Sequence, residues 1–188
     1  MQFRTIFAIL ALSAACTGLV QADDKDKEGK IDKRSYSQFR ECLRTEPVRF
    51  HGTIVEAALA TPELSTLAFA VQAAGLVEVL NSDGPFTVFA PLDDAFAAIP
   101  DAILSAIVAD VDLLGAVLTY HVLAGDGRRN DPRRTFFARE KGTVFGQSVF
   151  FNRSSDGPQV NQSNVNCQAV KTDNGTVWLI DSVLLPQF

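Results

Sequence analysis

The stretch from Gly84 to Phe96 constrains the fold more than any other part of the sequence, because it reads GPFTVFAPLDDAF. A glycine–proline turn opens onto a run of β-forming residues, Phe86 to Ala90, and Pro91 closes the run because it cannot donate to a strand ladder. Asp93 and Asp94 follow, and aspartates favour the start of a helix. The stretch therefore predicts a short buried strand, a turn and a helix. None of its side chains suits a nucleophile or a base, so we expect it to build core and connection.

Two later segments carry further recognisable patterns. Tyr120-His121 follows an apolar helical pattern, and residues 174–186 read NGTVWLIDSVLLP. Together with the stretch above, these segments resemble the three signatures of fasciclin domains, in the family's order and at its spacing. The resemblance covers about residues 50–188. It implies an α+β fold, a wedge-shaped β-sandwich with a set of short helices packed mainly from the N-terminal half.

The order of the local patterns predicts the same fold class without the resemblance. Short helices are predicted before residue 123, and strands after Arg134. Candidate helix caps are Thr53 (in a capping box with Glu56), Thr61, Asp101 and Asp110. Candidate strands after Arg134 are 135–138, 143–151, 165–171 and 176–185, with Asn174-Gly175 as a hairpin signal. Helices followed by strands indicate α+β rather than alternating α/β.

Residues 1–22 are predicted to be a secretory signal peptide. A positive start is followed by an apolar run from Ile6 to Val20 and by a small-residue cleavage pattern, Val20-Gln21-Ala22. The mature chain would begin at Asp23 and be secreted, or periplasmic in a bacterium, with no membrane span after cleavage. Lipid attachment at Cys16 is the alternative.

Residues 23–49 are predicted to be a charged spacer and N-terminal arm before a single domain at 50–188. The spacer has too few apolar residues to bury surface. Removal of the signal leaves Cys42 and Cys167 in a compartment that favours disulfides. They could pair, and a bridge across so long a loop contributes up to about 4–5 kcal/mol in the chain-entropy model. The alternative is two free thiols.

Charge and motif content argue against several function classes. The formal net charge of -5 argues against nucleic-acid binding by the chain as a whole. The chain has 2 histidines and lacks the sequence motifs of serine hydrolases, zinc peptidases and phosphate-binding loops. We therefore predict a non-enzymatic protein that needs no cofactor or metal.

Tyr120-His121 is the most specific polar pair in the sequence. At the end of an apolar helix, both side chains are expected to point inward, where a histidine usually bonds to backbone or hydroxyl groups. The resemblance implies a second role, because in some animal fasciclin domains this pair is associated with adhesion through integrins. The animal motif also contains an Asp-Ile pair, and this sequence has Ala169-Val170 at that position. The carboxylate that could meet a receptor-held cation is therefore missing.

Four arginines crowd one loop between the helical and strand halves: Arg128, Arg129, Arg133 and Arg134. Planar guanidinium groups pair well with carboxylates, sulfates and phosphates. The loop is therefore either a solvated connection or a binding site for an acidic glycan or another anionic surface.

The strand half is rich in phenylalanine, at positions 136, 137, 145, 150 and 151. Most of these rings are expected in the core, but adjacent residues such as Phe150 and Phe151 must face opposite sides of a strand. Some algal fasciclin proteins bind carotenoids, so the resemblance implies an alternative function as a carrier of an extended apolar ligand. Trp178, where the family often has histidine, is expected to be a packing anchor.

Three triplets match the acceptor pattern for N-glycosylation. They begin at Asn152, Asn161 and Asn174. They matter only in a eukaryotic source, and otherwise they are turn and loop residues.

The sequence thus predicts a secreted, non-enzymatic binding module in cell adhesion or in matrix or envelope association. The candidate binding residues are Tyr120, His121 and the four loop arginines. The expected partner is a cell-surface or matrix protein or an acidic glycan. The alternatives are a carrier of a carotenoid or lipid, and a structural envelope protein without a soluble ligand.

Overall fold

Among the residues that the structure describes, helices dominate the part before residue 121 and strands the part after it. The computed structural model describes residues 33–125, 127–134, 139–154 and 157–188, all within one compact unit, Asp32–Phe188. The helices are α1 (Lys33–Arg44), α2 (Ile54–Ala60), α3 (Ser65–Ala73), α4 (Val77–Leu80), α5 (Asp93–Ala97), α6 (Asp101–Ala109) and α7 (Val111–Tyr120). Short 3-10 turns are present at Pro62–Leu64 and Pro132–Arg134.

The strands form one sheet that confirms the predicted α+β class. They are β1 (Val48–Arg49), β2 (Phe86–Pro91), β3 (Val122–Ala124), β4 (Arg139–Gly142), β5 (Ser148–Arg153), β6 (Pro158–Val160), β7 (Ser163–Lys171) and β8 (Gly175–Ile180). The sheet is 8-stranded in the order β3-β2-β8-β7-β6-β5-β4, and β1 pairs with β7. The predicted hairpin at Asn174-Gly175 is confirmed, since β7 and β8 are antiparallel neighbours.

β2 lies one place in from the edge strand β3 and is buried along nearly its whole length. It runs antiparallel to β3 and parallel to β8, and its residues from Thr87 to Pro91 are all buried. Val88 and Ala90 enter the core formed with the helices, whereas Phe89 enters a second core formed with β5 and β6. This alternation follows from the two-residue period of a strand. The strand predicted from the opening stretch is therefore confirmed, with both of its faces covered.

The sheet folds back on itself around the second core. The Phe89 ring on β2 contacts the Phe151 ring on β5 edge to face, with 5.6 Å between centroids, although three strands separate β2 from β5 in the sheet. The register of β7 shifts between Val165 and Ala169, and such irregularities bend strands. The bend brings the two ends of the sheet face to face, which gives the sandwich implied by the resemblance.

Two of the predicted helix caps are confirmed. Thr53 Oγ1 accepts from the Glu56 backbone N–H, and the Thr53 backbone N–H donates to Glu56 Oε2 at 2.8 Å, which completes the capping box of α2. Asp110 Oδ1 accepts from the backbone N–H groups of Asp112 and Leu113 at 3.0 and 3.1 Å. Both caps satisfy donors that have no partner within their own helix.

The two other predicted caps form no side-chain cap bond, although Thr61 does occupy the cap position before the 3-10 turn that opens with Pro62. Thr61 makes no side-chain cap bond, because its hydroxyl donates instead to the Ala57 carbonyl at the end of α2. Asp101 is the first residue inside α6, and Pro100 occupies the cap position.

Asp93 begins α5 as predicted but caps a different helix. Its carboxylate accepts from Ser65 Oγ at 2.7 Å and from the Thr66 backbone N–H at 2.9 Å. The hydrogen bond from Ser65 is the main cause that lowers the Asp93 pKa below its ordinary value. The opening stretch is thereby fastened to the start of α3.

The strand half differs from its predicted pattern in three places, the first being the last strand, since β8 ends at Ile180 and does not continue to residue 185. Thr143 to Gln147 form a turn rather than the first half of a strand, so β5 begins only at Ser148. β4 and β6 were not predicted, because β4 is a charged edge strand and β6 begins with proline. The predicted strand at 135–138 lies outside the described residues.

The N-terminal arm is joined to the sheet. β1 pairs in parallel with the end of β7, with Val48 opposite Val170. Phe39 and Cys42 of α1 are buried. The predicted signal peptide at 1–22 and the spacer up to residue 32 lie outside the described residues.

Within the described ranges, no single helix has the length and apolar character needed to cross a membrane. Only α2 with α3, and α6 with α7, reach that length, as pairs bent by 112° and 106°.

Two glycine-to-alanine substitutions test the packing between β2 and β8. A Cβ at Gly175 would overlap the Phe86 carbonyl oxygen and the Ile54 side chain, whereas a Cβ at Gly115 in α7 would meet no atom within 4 Å. We expect Gly175→Ala to destabilise the protein by about 1–3 kcal/mol. Gly115→Ala should stabilise it by about 0.5–1 kcal/mol, because alanine favours helices. Urea unfolding measures both, and equal midpoints for the two variants would contradict the described contact.

Candidate functional site

Tyr120 and His121 lie at the C-terminal end of α7, where the chain turns into β3. Both side chains are buried, His121 with 2% of its surface exposed. The structure thus places the pair inside the fold, between α7, β5 and the C-terminal segment. Its role in receptor binding stays a prediction.

The His121 ring joins α7 to the C-terminal segment. Its Nδ1 lies 2.7 Å from the Val117 carbonyl oxygen, and its Nε2 lies 2.9 Å from the Leu184 backbone nitrogen. Because the Leu184 N–H can only donate, Nε2 must accept, and the proton therefore resides on Nδ1. Burial lowers the His121 pKa to about 4, although the bond to Val117 acts in the opposite direction. The imidazole is neutral at physiological pH, and both nitrogens are engaged.

The Tyr120 hydroxyl connects α7 to two strands of the second layer. It donates to the Ser148 carbonyl at 3.0 Å and accepts from Asn161 Nδ2 at 3.1 Å. Asn161 has a left-handed backbone with φ of 53°, and its Oδ1 accepts from the Phe150 N–H. Tyr120 therefore fixes the start of β5 and the turn between β6 and β7.

Arg133 is the centre of a buried polar cluster, which the sequence pattern did not indicate. Its Nε and Nη2 donate to the two carboxylate oxygens of Asp131, each at 3.0 Å. Its Nη1 donates to the carbonyls of Thr45, Cys167 and Cys42 at 2.7, 3.1 and 3.3 Å. One guanidinium therefore fastens the N-terminal arm, the arginine loop and β7 to each other.

The face of Trp178 and a disulfide lie at the same junction. The Arg133 guanidinium carbon is 4.8 Å from the centre of the Trp178 ring, a distance that allows cation–π attraction. Trp178 is buried, in agreement with the expected packing anchor. Cys42 and Cys167 form a disulfide with 5.0 Å between Cα atoms. The alternative of two free thiols is therefore not the arrangement found.

The remaining three arginines of the loop lie at the surface, and we call Arg128, Arg129 and Arg134 the cationic loop. The Arg134 side chain is 73% exposed, and its Nε lies 3.4 Å from Asp131 Oδ2. Asn130, between them, is buried, and its amide donates to the Ala124 carbonyl at 3.3 Å. The loop thus presents exposed cations on a segment whose intervening residues are held in the fold.

The phenylalanines of the strand half divide between core and surface. Phe151 is buried, whereas Phe150 is 50% exposed, as expected for neighbours on one strand. Phe145 is half-buried and contacts the Phe188 ring. Phe136 and Phe137 lie outside the described residues.

The three candidate glycosylation asparagines use their amide groups within the fold. Asn174 Nδ2 donates to the Leu80 carbonyl at 2.7 Å, and its Oδ1 accepts from the Ile54 N–H at 3.0 Å. Asn152 and Asn161 also donate from Nδ2, Asn152 to the Asn161 carbonyl. A glycan replaces one of the two hydrogens of Nδ2, so Asn174, whose Nδ2 donates to both the Leu80 and Ser82 carbonyls, would lose one of these bonds.

The two apolar cavities of the helical layer are small. Each has a volume of about 50 Å³. A volume of about 150 Å³ is needed to hold even benzene, so neither cavity accommodates an extended pigment. Among the described residues, no group of three or more His, Cys, Asp or Glu side chains could hold a metal ion.

The buried arginine and its exposed neighbour offer a matched comparison. We expect Arg133→Met to destabilise the protein by about 3–5 kcal/mol, because it leaves the Asp131 carboxylate buried without its main cation. Arg134→Met, at the surface beside the same carboxylate, should change stability by less than about 1 kcal/mol. Urea unfolding measures both values. Similar losses for both variants would contradict the distinct environments described here.

The neutral His121 predicts a dependence of stability on pH. The unfolded chain takes up a proton below pH 6.5, its ordinary pKa, whereas the folded chain does so only near pH 4. The stability that His121 contributes is therefore complete above pH 6.5 and falls by about 3 kcal/mol as the pH drops to about 4. His121→Gln should unfold with a shallower pH slope over this window, measured by urea unfolding at several pH values between 4 and 6.5. An unchanged slope in His121→Gln would refute the buried neutral ring.

Comparisons with known proteins place this fold in a family. The family model described as Fasciclin domain matches residues 62–186. An uncharacterized protein of Synechocystis sp. is 39% identical over 132 residues, which is 70% of this chain and 96% of that protein. Two Mycobacterium bovis proteins follow: Immunogenic protein MPB70 is 37% identical over 71% of this chain and 68% of its own length, and Cell surface glycolipoprotein MPB83 is 36% identical over 71% and 60%.

A solved structure supports the fold itself. The FAS1 domain pair of the insect cell adhesion molecule Fasciclin I superposes with a TM-score of 0.51 at 18% identity, over 65% of this chain and 45% of that one. At this identity the likeness bears on the fold alone. Since the family model spans most of the described domain and a relative matches over nearly its whole length, the chain belongs to the fasciclin domain family.

Proposed function

We propose that this chain is a secreted, non-enzymatic binding module that attaches to an acidic glycan of a cell surface, matrix or envelope through its cationic loop. The proposal is supported by the names of its relatives, which include a cell surface glycolipoprotein and a cell adhesion molecule. The disulfide between Cys42 and Cys167 agrees with export, because such bonds persist in oxidising compartments.

The observation that carries this function is the support beneath the cationic loop. Asn130 and Asp131 are buried between Arg129 and Arg134, and Arg133 anchors the same segment to the disulfide junction. Exposed guanidinium groups on a fixed backbone lose less freedom on binding than the same groups on a mobile tail. The loop is thus prepared to meet an anion.

The chemistry of guanidinium groups selects the partner. Arginine offers a rigid fork of donors that matches the two oxygens of a carboxylate or sulfate. An acidic glycan repeats such groups along a chain, so three arginines can engage it at once, and the affinity should fall with salt as exposed charges are screened.

Binding, rather than catalysis, fits the placement of the polar side chains. The most specific pair in the sequence, Tyr120 and His121, has its hydroxyl and both ring nitrogens engaged in bonds that join elements of the fold. Nucleophilic and acid–base catalysis need such groups free to meet a substrate. Transport of a carotenoid or lipid is less favoured, because the two apolar cavities of the helical layer have volumes of only about 50 Å³ each. The larger open cleft of about 1260 Å³ beside Tyr120 and Phe150 is lined by polar and apolar side chains together.

A charge-matched pair of triple variants tests the proposal. Arg128, Arg129 and Arg134 are changed together to Ser in one variant, and the exposed Arg49, Arg139 and Lys171 are changed to Ser in the other, so that both lose the same charge. Binding to immobilised heparin is measured at increasing salt. We expect the cationic-loop variant to lose at least about tenfold in affinity, whereas the control variant loses far less.

The two variants separate the possible failures. Equal losses in both would mean that diffuse charge, not the loop, attracts the glycan. Unchanged binding in the cationic-loop variant would exclude the loop as the site. Binding of neutral dextran as strong as that of heparin would contradict the choice of an acidic partner.

A further inference from the structure

Helix α6 has the composition of a core helix but lies at the surface. Its sequence is DAILSAIVA, yet Ile107 is the one residue of the helix that is buried. Ile103 and Val108 are 47% and 46% exposed. A helix that is apolar nearly all round is normally covered on most sides. This uncovered surface is not explained by the fold.

The exposed surface continues onto α3. The Phe69 side chain is 66% exposed, the most of any large hydrophobic side chain of the described helices. Phe69 and Val108 line the same small pocket, together with Leu104 and Ile107 of α6. We call the surface formed by Phe69 of α3 and Val108 of α6 the apolar helix face.

The stretch of chain that contains α3 and α6 has acidic residues and no lysine or arginine. From Phe50 to Gly127 the sequence contains no lysine or arginine. The same span contains ten acidic residues: Glu56, Glu63, Glu78, Asp83, Asp93, Asp94, Asp101, Asp110, Asp112 and Asp126. Asp101 and Asp110 flank α6, and Asp94 precedes it on α5; all three are exposed. The segment from Phe50 to Gly127, which contains α2 to α7, therefore has a net negative charge.

We infer that the apolar helix face binds a cationic amphipathic polypeptide segment of a partner protein, with apolar side chains on one side and lysines or arginines on the other. The apolar side would cover Phe69 and Val108, in the way that helices bind grooves. The cations would meet Asp94, Asp101 and the other acids at the rim.

Charge excludes the other common occupants of such a face. Anionic lipids, nucleic acids and acidic glycans are repelled by a region that carries acids and no bases. Small inorganic cations would pair with the acids but leave the apolar surface in water. A polypeptide segment that carries both apolar and cationic side chains can contact both the apolar residues and the acidic residues of this surface. This site is distinct from the cationic loop, and its test does not depend on the proposed function.

A model peptide serves as the probe. We use an amphipathic helical peptide of leucine and lysine, of about 15 residues so that a helix can form, and the same pattern with glutamate in place of lysine. Fluorescence anisotropy of the labelled peptides is measured with the mature chain at low and high salt. We expect the lysine peptide to bind at least about tenfold more tightly than the glutamate peptide, and high salt to weaken it.

Matched variants locate the binding surface. Phe69→Ser and the double variant Asp101→Asn, Asp112→Asn should each weaken the lysine peptide by about fivefold or more. Asp110 is left unchanged because it caps α7. Phe150→Ser, and Glu140→Gln with Asp173→Asn, make the same chemical changes on the strand half and should leave affinity unchanged. Circular dichroism confirms that all variants fold.

Three results would overturn the inference. The helix-face and strand-half variants could weaken the peptide equally, which would indicate general attraction to an acidic protein. The glutamate peptide could bind as tightly as the lysine peptide, which would remove the role of charge. Sedimentation velocity could show self-association that Phe69→Ser abolishes, which would make a second copy of the chain the occupant instead of a separate partner.

Discussion

The guanidinium of Arg133 holds together parts of the chain that are far apart in sequence. It pairs with Asp131 and donates to carbonyls of α1, of the residues that follow α1, and of β7. A buried cation is tolerated only when its charge and its donors are met, so every one of these segments must be in place at once. The disulfide crosslinks the same junction, and the cationic loop departs from it. The rigidity that the proposed function needs therefore comes from a residue that does not itself reach the surface.

Local chemistry made much of the fold predictable, and long-range contacts decided the rest. The β2 strand, the Thr53 capping box and the Asn174-Gly175 hairpin were predicted correctly because each depends on neighbours within a few residues. β4 was missed, because a charged edge strand lacks the hydrophobic pattern of a buried one. The sequence also could not show which of the four loop arginines is buried. Arg133 bonds to carbonyls of Cys42 and Cys167, and these lie beside each other because of a disulfide with a sequence separation of 125.

For the Tyr120-His121 pair, the sequence predicts the direction of the side chains but not their hydrogen-bond partners. Its inward direction follows from the apolar helix before it, but its partners do not. His121 bonds to Leu184, which is 63 residues away, and Tyr120 bonds to Ser148 and Asn161 of the second layer. Of the two candidate binding surfaces, one could be predicted from the sequence and the other could not. The cationic loop was visible as a cluster of arginines, whereas the apolar helix face could be found only once the burial of α6 was known.

Under the proposed function, Arg133 holds the segments of the fold together while its three exposed neighbours bind the partner. Nuclear magnetic resonance of the arginine side-chain Nε–H groups tests this directly, with a sulfated oligosaccharide added in steps. We expect the Nε–H signal of Arg133 to exchange slowly with solvent and to keep its chemical shift. The signals of Arg128, Arg129 and Arg134 should change their chemical shifts progressively. A shifted or rapidly exchanging Arg133 signal, with the three neighbours unmoved, would contradict this expectation.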